Sequence, residues 1–474
     1  MKITDILFCI NMFSGMGFSI LSPLFPSLGI KNGLSESLIG WIIGIFALSS
    51  TCISPFTPLL IKKFTRIKLL YFATFCEATS TFLYGLISFI NSFQYLIIIM
   101  FIIRIIHGCC CGIIGTLIYS LTITLSNPSE VKKALGNLEI AWCIGITCGP
   151  IFASIFYKIG GYHLPFIILG SFLYTSVFLS TRVAKEKTES EQEIKENPPF
   201  LKYLTYGEII FILLVFFSGY ISQSFFYPSL TNHLKVNFSL SVSISSLFFI
   251  IIAISNLIVL QFLDSITNKF GLYGTSCIGL LLVSLGVLMI YPYPPIPKSI
   301  ICVIIGFILI GGGGVPVFIP GLVALNKNIK KIDMNIDDLT VNDITSAINF
   351  LTVNIGDFCG PIIGGFFSTH FGFKCCCLII SSIILIYCLF YFIYFRKYIF
   401  NKINKGGEIE SNSEIKSEEI ELINHPGEYK DDNLNNIISS QNYENIGKRK
   451  NSVYEVLIND EKNELDYTPL NDKE

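Results

Sequence analysis

Gly145-Ile146-Thr147-Cys148-Gly149-Pro150 and Gly356-Asp357-Phe358-Cys359-Gly360-Pro361 repeat one pattern, Gly-x-x-x-Gly-Pro, 211 residues apart. Both copies lie inside long apolar runs. Glycines four apart let a neighbouring helix approach closely, and the proline removes one backbone hydrogen bond and permits a bend. A duplicated bend of this kind predicts two similar helix groups with a moving seam. A packing groove without any role in coupling fits the same residues.

The chain has 474 residues, 52% of them hydrophobic and 14% charged, with a mean hydropathy of +0.63. A bilayer core about 30 Å thick takes roughly 20 helical residues, so each long uncharged run reads as a span. Spans are predicted near 6–28, 38–60, 69–91, 95–121, 135–157, 164–181, 208–230, 242–263, 273–293, 299–325, 344–368 and 373–395. The first run, from Ile6 past Ile20, is too long for the core of a cleavable leader. The 15 cysteines lie mostly in apolar runs without paired metal spacing, so they read as small hydrophobes.

Charge sets an orientation. Nineteen basic residues fall in the loops on one side and the segment after the last span, against five on the other side. Both termini are therefore expected in the cytosol. Residues 1–181 and 207–396 each hold six expected spans, joined by a charged linker at 182–206 that contains Pro198-Pro199. Residues 397–474 carry 17 acidic and 10 basic residues and are expected to be a disordered cytosolic tail. The halves echo each other: Phe25-Pro26-Ser27-Leu28 ends the first span and Tyr227-Pro228-Ser229-Leu230 the seventh. Lys63-Phe64 and Lys269-Phe270 close the second and eighth. Paired six-helix halves are one way to build a transporter around a central site.

Twelve spans, a basic loop after the second and Gly-x-x-x-Gly-Pro in the fifth resemble the major facilitator superfamily. Within it the chain is similar to the vesicular amine and polyamine transporter group. That likeness rests on Glu77, on Arg104 with Gly108, on Glu139, on Gly161-Tyr162-His163-Leu164-Pro165-Phe166 and on Gly360-Pro361-Ile362-Ile363-Gly364-Gly365. The resemblance implies a proton-coupling role for Arg104, and an exchanger rather than a uniporter from the span-five motif. One loop departs from the superfamily pattern Gly-x-x-x-Asp-x-x-Gly-Arg-Lys. Pro58, Lys62 and Thr65 replace its glycine, aspartate and second glycine, leaving Arg66 and Lys68, with Asp264 as a partial counterpart in the second half.

A charge inside a bilayer costs about 2.5–3.5 kcal/mol on insertion scales, so each one is a candidate for function. The candidates for substrate or proton binding are Glu77, Arg104, Glu139, Asn349 and Asp357, with His107 titratable nearby. Arg104 is either a coupling group or half of a structural ion pair with Glu77. Glu139 shares a helix face with Cys143, Ile146 and Pro150, where it could hold an ammonium group or pair only with the facing helices. Asp357 precedes Pro361 by four residues, so its own carbonyl loses its helical donor. Its carboxylate suits a cation or proton, or else stabilises the kink. Gly145, Gly149, Pro150, Gly356, Gly360 and Pro361 are the expected hinge, and Gly311 to Gly314 a pliable gate. Asn11, Tyr220, Gln223, Tyr227 and Asn256 are expected to line the central cavity.

The sequence thus predicts an all-α membrane protein, twelve helices in two six-helix bundles, working as a secondary transporter. Proton-driven antiport of an organic cation (an amine, polyamine or drug-like solute) by alternating access is the expected activity. A facilitator or exporter of a neutral or anionic solute and a non-transporting sensor or scaffold stay open as alternatives. No enzyme activity, cofactor, metal or nucleic acid is expected; the proton gradient is the driving force. The expected partners are the solute, protons, lipid and sorting adaptors on Glu418-x-x-x-Leu422-Ile423, Tyr454-x-x-Leu457 and Tyr467-x-x-Leu470. A vesicular or endomembrane location and the plasma membrane both remain open.

Overall fold

Lipid offers the backbone no hydrogen bonds, so a spanning chain must satisfy its own. The computed structural model describes residues 3–90, 92–125, 131–186, 200–291, 297–334 and 336–424, and among them the structure is helical without strands. The first half contains α1 (Ile3–Ser19), α2 (Leu21–Lys31), α3 (Glu36–Ile53), α4 (Thr57–Phe64), α5 (Arg66–Leu86), α6 (Phe93–Leu125), α7 (Val131–Gly160) and α8 (His163–Glu186). The second contains α9 (Gly207–Ser224), α10 (Leu230–Phe238), α11 (Val242–Leu260), α12 (Leu263–Ile290), α13 (Ile300–Ile332) and α14 (Asp338–Asn424). Ser35 and Ser241 cap α3 and α11 alike, accepting the amide hydrogens of Leu38 and Ile244.

Length and apolarity mark ten segments among the described residues as able to cross a membrane, against the twelve expected. Thr340–Phe400 joins the last two expected spans in one segment, which Gly372 breaks at φ 79° and ψ 154°. The third expected span is α5, 21 residues long. Glu77, Thr74, Thr79, Ser80 and Thr81 make it too polar to be marked, and all but Thr79 are buried. Residues 397–424, expected to be disordered, are helical. They are rich in Glu, Lys and Ile and meet no proline before Pro426. The remaining tail, with Tyr454 and Tyr467, and residues 187–199 of the linker lie outside the described residues.

Tight turns recur in both halves. Gly161 and Gly372 occupy positive φ after α7 and before the last expected span, and Gly271 does so after the eighth. The matching position in the first half is Thr65, at φ 64° and ψ 151° between α4 and α5. That region is open essentially to glycine alone, and a β-branched residue there costs about 1–3 kcal/mol.

Each half has its own apolar clusters: Leu24, Phe25, Ile42, Met100 and Phe166 belong to one in the first half, and Phe226, Leu280, Phe307 and Tyr391 to one in the second. The outward faces are apolar as well, as Ile98, Ile102 and Ile105 on α6 and Ile386, Leu389 and Ile393 on α14 show. A helix apolar all round belongs in lipid.

Besides the packing of α7 on α11, the polar and aromatic contacts joining the halves include several at the end opposite the basic loops. Gly40 of α3 lies against the carbonyl of Pro361, and Trp41 meets Phe358 at 6.0 Å between ring centroids. Ser37 donates its amide to Thr369 Oγ1 at 2.8 Å. Thr231 donates its hydroxyl to Pro23 O at 3.0 Å. The Glu36 carboxylate accepts from Ser229 Oγ at 2.7 Å and from Asn232 Nδ2 at 3.1 Å. Hydrogen bonds to a charged group are worth about 1.5–3 kcal/mol each, so this carboxylate is the strongest polar clasp in the seam.

The same end holds His233 in a box of Phe238, Tyr291 and Phe373. Lys298 donates to the side-chain oxygen of Asn237, which orients the amide of Asn237 to donate to His233 Nδ1 at 2.9 Å. Burial first, and Lys298 second, pull the imidazole down to about 4.

Three outcomes test these features. Thr65→Gly is expected to raise thermal stability in detergent by about 1 kcal/mol, since relief of about 1–3 kcal/mol exceeds the entropic cost of a glycine of about 0.5–1 kcal/mol. Glu36→Ala is expected to speed amide exchange in residues 36–40 and 230–238 by about tenfold or more, the equivalent of at least about 1.4 kcal/mol; unchanged exchange would show that the clasp does not hold the seam. His233 is more acidic when folded than the ordinary value of about 6.5, so its contribution is complete above that pH. It is lost as pH falls toward 4, by at most about 3 kcal/mol. Melting curves of His233→Gln are expected to be flatter than wild type over that window.

Candidate functional site

The two Gly-x-x-x-Gly-Pro motifs dock in the same way. In α7, Gly145 lies against the backbone of Met12 and Gly149 against Ser19 Oγ, both on α1. In α14, a side chain at Gly356 would meet Tyr220 Cβ at 2.6 Å, and Gly360 lies against Ser224 Oγ, both on α9. Each motif therefore seats the fifth helix of its half on the first. Pro150 and Pro361 sit inside helices that continue through them. The glycine run at 311–314 is likewise a packing surface: Gly311 faces α11, Gly313 faces α12 and Gly314 faces Gln223 of α9. With no side chain at these positions, the backbones of the paired helices close tightly, and at Gly149 and Gly360 the facing residue is a serine.

Between the halves is a cavity of about 10 Å³, lined by Phe18 and Ser22 of the first span, Ile43, Phe46 and Ala47 of α3, Arg104 of α6, Tyr227 and Asp357. That volume suits one water molecule. Two of the charged candidates thus meet there, one from each half. Arg104 is held by α3: Nε donates to Ile42 O at 3.2 Å, Nη2 to Ile43 O at 2.7 Å, and the guanidinium lies 4.6 Å from the centre of the Phe46 ring. Its remaining nitrogen, Nη1, is buried without a hydrogen bond within normal geometry among the described residues, with the Tyr84 hydroxyl nearby. Asp357 is partly buried and has no hydrogen-bond or salt-bridge partner among the described residues.

Glu77 is elsewhere. It is fully buried in α5, accepts from Ser14 Oγ, and lies 3.9 Å from His107 Nε2. The expected alternative of a Glu77–Arg104 ion pair is not what the structure contains, because the guanidinium is spent on α3 carbonyls. His107 Nδ1 is 3.0 Å from the Tyr84 hydroxyl. Glu139 is exposed on α7 and accepts from the Tyr119 hydroxyl at 2.5 Å. It does not line the cavity, but its charge reaches Tyr220 of the other half, as does that of Asp357. Asn349 is partly buried two turns before Asp357 and lines no part of the cavity.

Of the neutral candidates only Tyr227 lines the cavity. Asn11 instead donates to Leu138 O at 2.8 Å, tying α1 to α7. Tyr220 stacks near Phe318 at 4.4 Å. Asn256 is partly buried, and its side-chain oxygen is shielded without a partner. Arg66 begins α5, Lys68 is exposed, and Asp264 is exposed in the first turn of α12, where an acid complements the helix dipole. None of the three has a salt bridge with a described residue. Ser14, Phe46 and the Glu36 clasp escaped sequence reading, since a serine, a phenylalanine and an acid at a helix start carry no distinctive pattern.

The major facilitator superfamily model matches residues 7–333. The MFS-type transporter SLC18B1 of Rattus norvegicus is 26% identical over 384 residues, covering 77% of this chain and 80% of that protein. Multidrug resistance protein 1 of Bacillus subtilis (strain 168) is 23% identical over 228 residues, covering 47% and 57%. A crystal structure of a bacterial homolog of the human lysosomal transporter Spinster superposes with a TM-score of 0.66 at 12% identity, covering 84% of this chain and 97% of that one. That likeness speaks for the fold. With its helices paired in this way around a cavity between two halves, the chain belongs to the major facilitator superfamily of membrane transporters.

Proposed function

We propose that the protein exchanges an organic cation for protons, with the cavity between the halves as the cation site. The observation that supports this most is Asp357, a carboxylate at that cavity without a hydrogen-bond or salt-bridge partner among the described residues. A carboxylate in a poorly hydrated site is costly unless it is protonated or faces a cation. Swapping one for the other at the same group is antiport. Phe18, Phe46 and Tyr227 supply the aromatic faces that attract a substituted ammonium. Arg104 opposes occupancy by a cation and proton together.

The six-helix halves act as two bundles that rock about the seam, with residues 182–206 as the connector. The basic loops mark the cytosolic side. The clasp at Glu36 closes the opposite side, so the conformation described is closed toward the lumen or exterior. At about 10 Å³ the cavity is contracted, and a solute enters as the bundles part. Gly145, Gly149 and Pro150 with Gly356, Gly360 and Pro361 are the surfaces that keep each bundle rigid during that motion. The tail motifs, Glu418 to Ile423 among them, serve as sorting signals in this reading.

Labelled spermidine uptake into proteoliposomes, with and without a pH gradient, tests the reading. Accumulation is expected only with the gradient, and Asp357→Asn is expected to weaken apparent affinity at least about tenfold, or about 1.4 kcal/mol. Uptake indifferent to the gradient removes the antiport. A second reading, facilitation of a neutral or anionic solute, draws on Arg104 Nη1, which makes no hydrogen bond within normal geometry among the described residues, and is favoured if Asp357→Asn leaves transport intact.

A further inference from the structure

Three neighbouring residues inside the first half carry a buried polar atom without a hydrogen-bond partner among the described residues: Glu77 Oε2, Thr81 Oγ1 and His107 Nε2. All three residues are fully buried. Thr81 lies one turn after Glu77 on α5, and His107 reaches in from α6. Gly17 of α1 leaves the space open, since a side chain there would stand 3.5 Å from Thr81 Oγ1 and 3.7 Å from His107 Nε2. Buried polar atoms are normally satisfied, so a group of three at one point calls for an occupant.

We propose that Glu77 and His107 form a proton-binding site within the first bundle, separate from the cavity at Asp357. The proposal rests on the antiport reading for its role in transport. The pair holds one proton at a time. It comes from water on one side of the membrane, resides on the Glu77 carboxylate or on His107 Nε2, and leaves to the other side. The 3.9 Å between the two groups closes to hydrogen-bond length with a small side-chain adjustment or one bridging water. Ser14 steadies the carboxylate, and Tyr84 fixes the ring through Nδ1, leaving Nε2 to face Glu77.

The surroundings favour a single extra proton. Arg104 supplies a fixed positive charge on α6. Tyr84 on α5 and Cys110 and Cys111 on α6 are the other titratable groups facing the pair. From α1, α3 and α8 the facing side chains are neutral: Ser14, Phe46 and Leu173. With Glu77 ionised and His107 neutral, the carboxylate balances Arg104; one added proton leaves a net positive charge.

That charge reaches the cavity through two groups. His107 meets Phe46 edge-on at 5.0 Å, and Arg104 lies over the same ring at 4.6 Å. Phe46 and Arg104 both line the cavity. A protonated pair therefore disfavours a cation beside Asp357, and an empty pair admits it.

Infrared difference spectra of the purified full chain in lipid nanodiscs, titrated with acid, test the pair without transport. A carboxylic acid band is expected that is lost in Glu77→Gln and shifts its midpoint in His107→Gln and in Gly17→Ala. A band unaffected by Glu77→Gln and His107→Gln overturns the proposal. In proteoliposomes, Glu77→Gln is expected to lose gradient-driven spermidine accumulation while exchange of labelled for unlabelled spermidine persists; retained accumulation overturns it. If wild-type uptake ignores the gradient, the antiport reading fails, while the infrared titration still decides whether the pair binds a proton.

Discussion

The close approach of helices across glycine is the interaction on which this structure depends. In lipid the hydrophobic effect does not press helices together, because the tails are as apolar as leucine. Association must come from van der Waals contact, which needs backbones near each other. Gly149 against Ser19 and Gly360 against Ser224 supply it for the first and fifth helices of each half. Gly108 on the carbonyl of Phe46 and Gly112 beside Ser50 do the same for α6 on α3. Such contacts are stiff, since any larger side chain would collide with backbone.

Stiff halves leave the seam as the place where shape can change. There the glycine contacts are fewer and polar groups carry more of the closure. Gly40 and Gly365 meet the other half through carbonyls, while Glu36, Ser37, Thr231 and Thr369 add directional bonds. Hydrogen bonds of this sort exchange readily with water, unlike a packed glycine face. A rocking motion would break the bonds that water can replace and keep those it cannot.

The fold was legible because span length and loop charge follow from the bilayer itself. The duplicated glycine pattern was legible too, although sequence alone could not choose between hinge and groove; in the structure it packs α7 on α1 and α14 on α9. The third span was placed from its run of apolar residues even though buried threonines and Glu77 lower its hydropathy. The site was read less well. Glu77, Arg104 and Asp357 stood out as charges among apolar neighbours, but which of them meet depends on helix rotation that periodicity leaves open. Arg104 finds carbonyls on α3, a partner with no side-chain signature. Glu139 meets Tyr119 because α7 turns its glycines, not its acid, toward α1. In 397–424 an acidic, polar composition suggests disorder, whereas its Glu, Lys and Ile residues also suit the helix found there.

Arg104 explains why the remaining charges lie where they do. A guanidinium stays ionised in proteins, so burying one fixes a positive charge in the first half. Its bonds to Ile42 and Ile43 satisfy geometry but bring no negative charge. The two carboxylates nearest in the fold make no ion pair with it among the described residues. Glu77 lies on one side, behind Phe46 and beside His107, and Asp357 on the other, across the seam. Replacing Arg104 by lysine would keep the charge but lose the planar fork that holds it between the two. Phe46 lies between the two places, in contact with both His107 and the guanidinium, and lines the cavity.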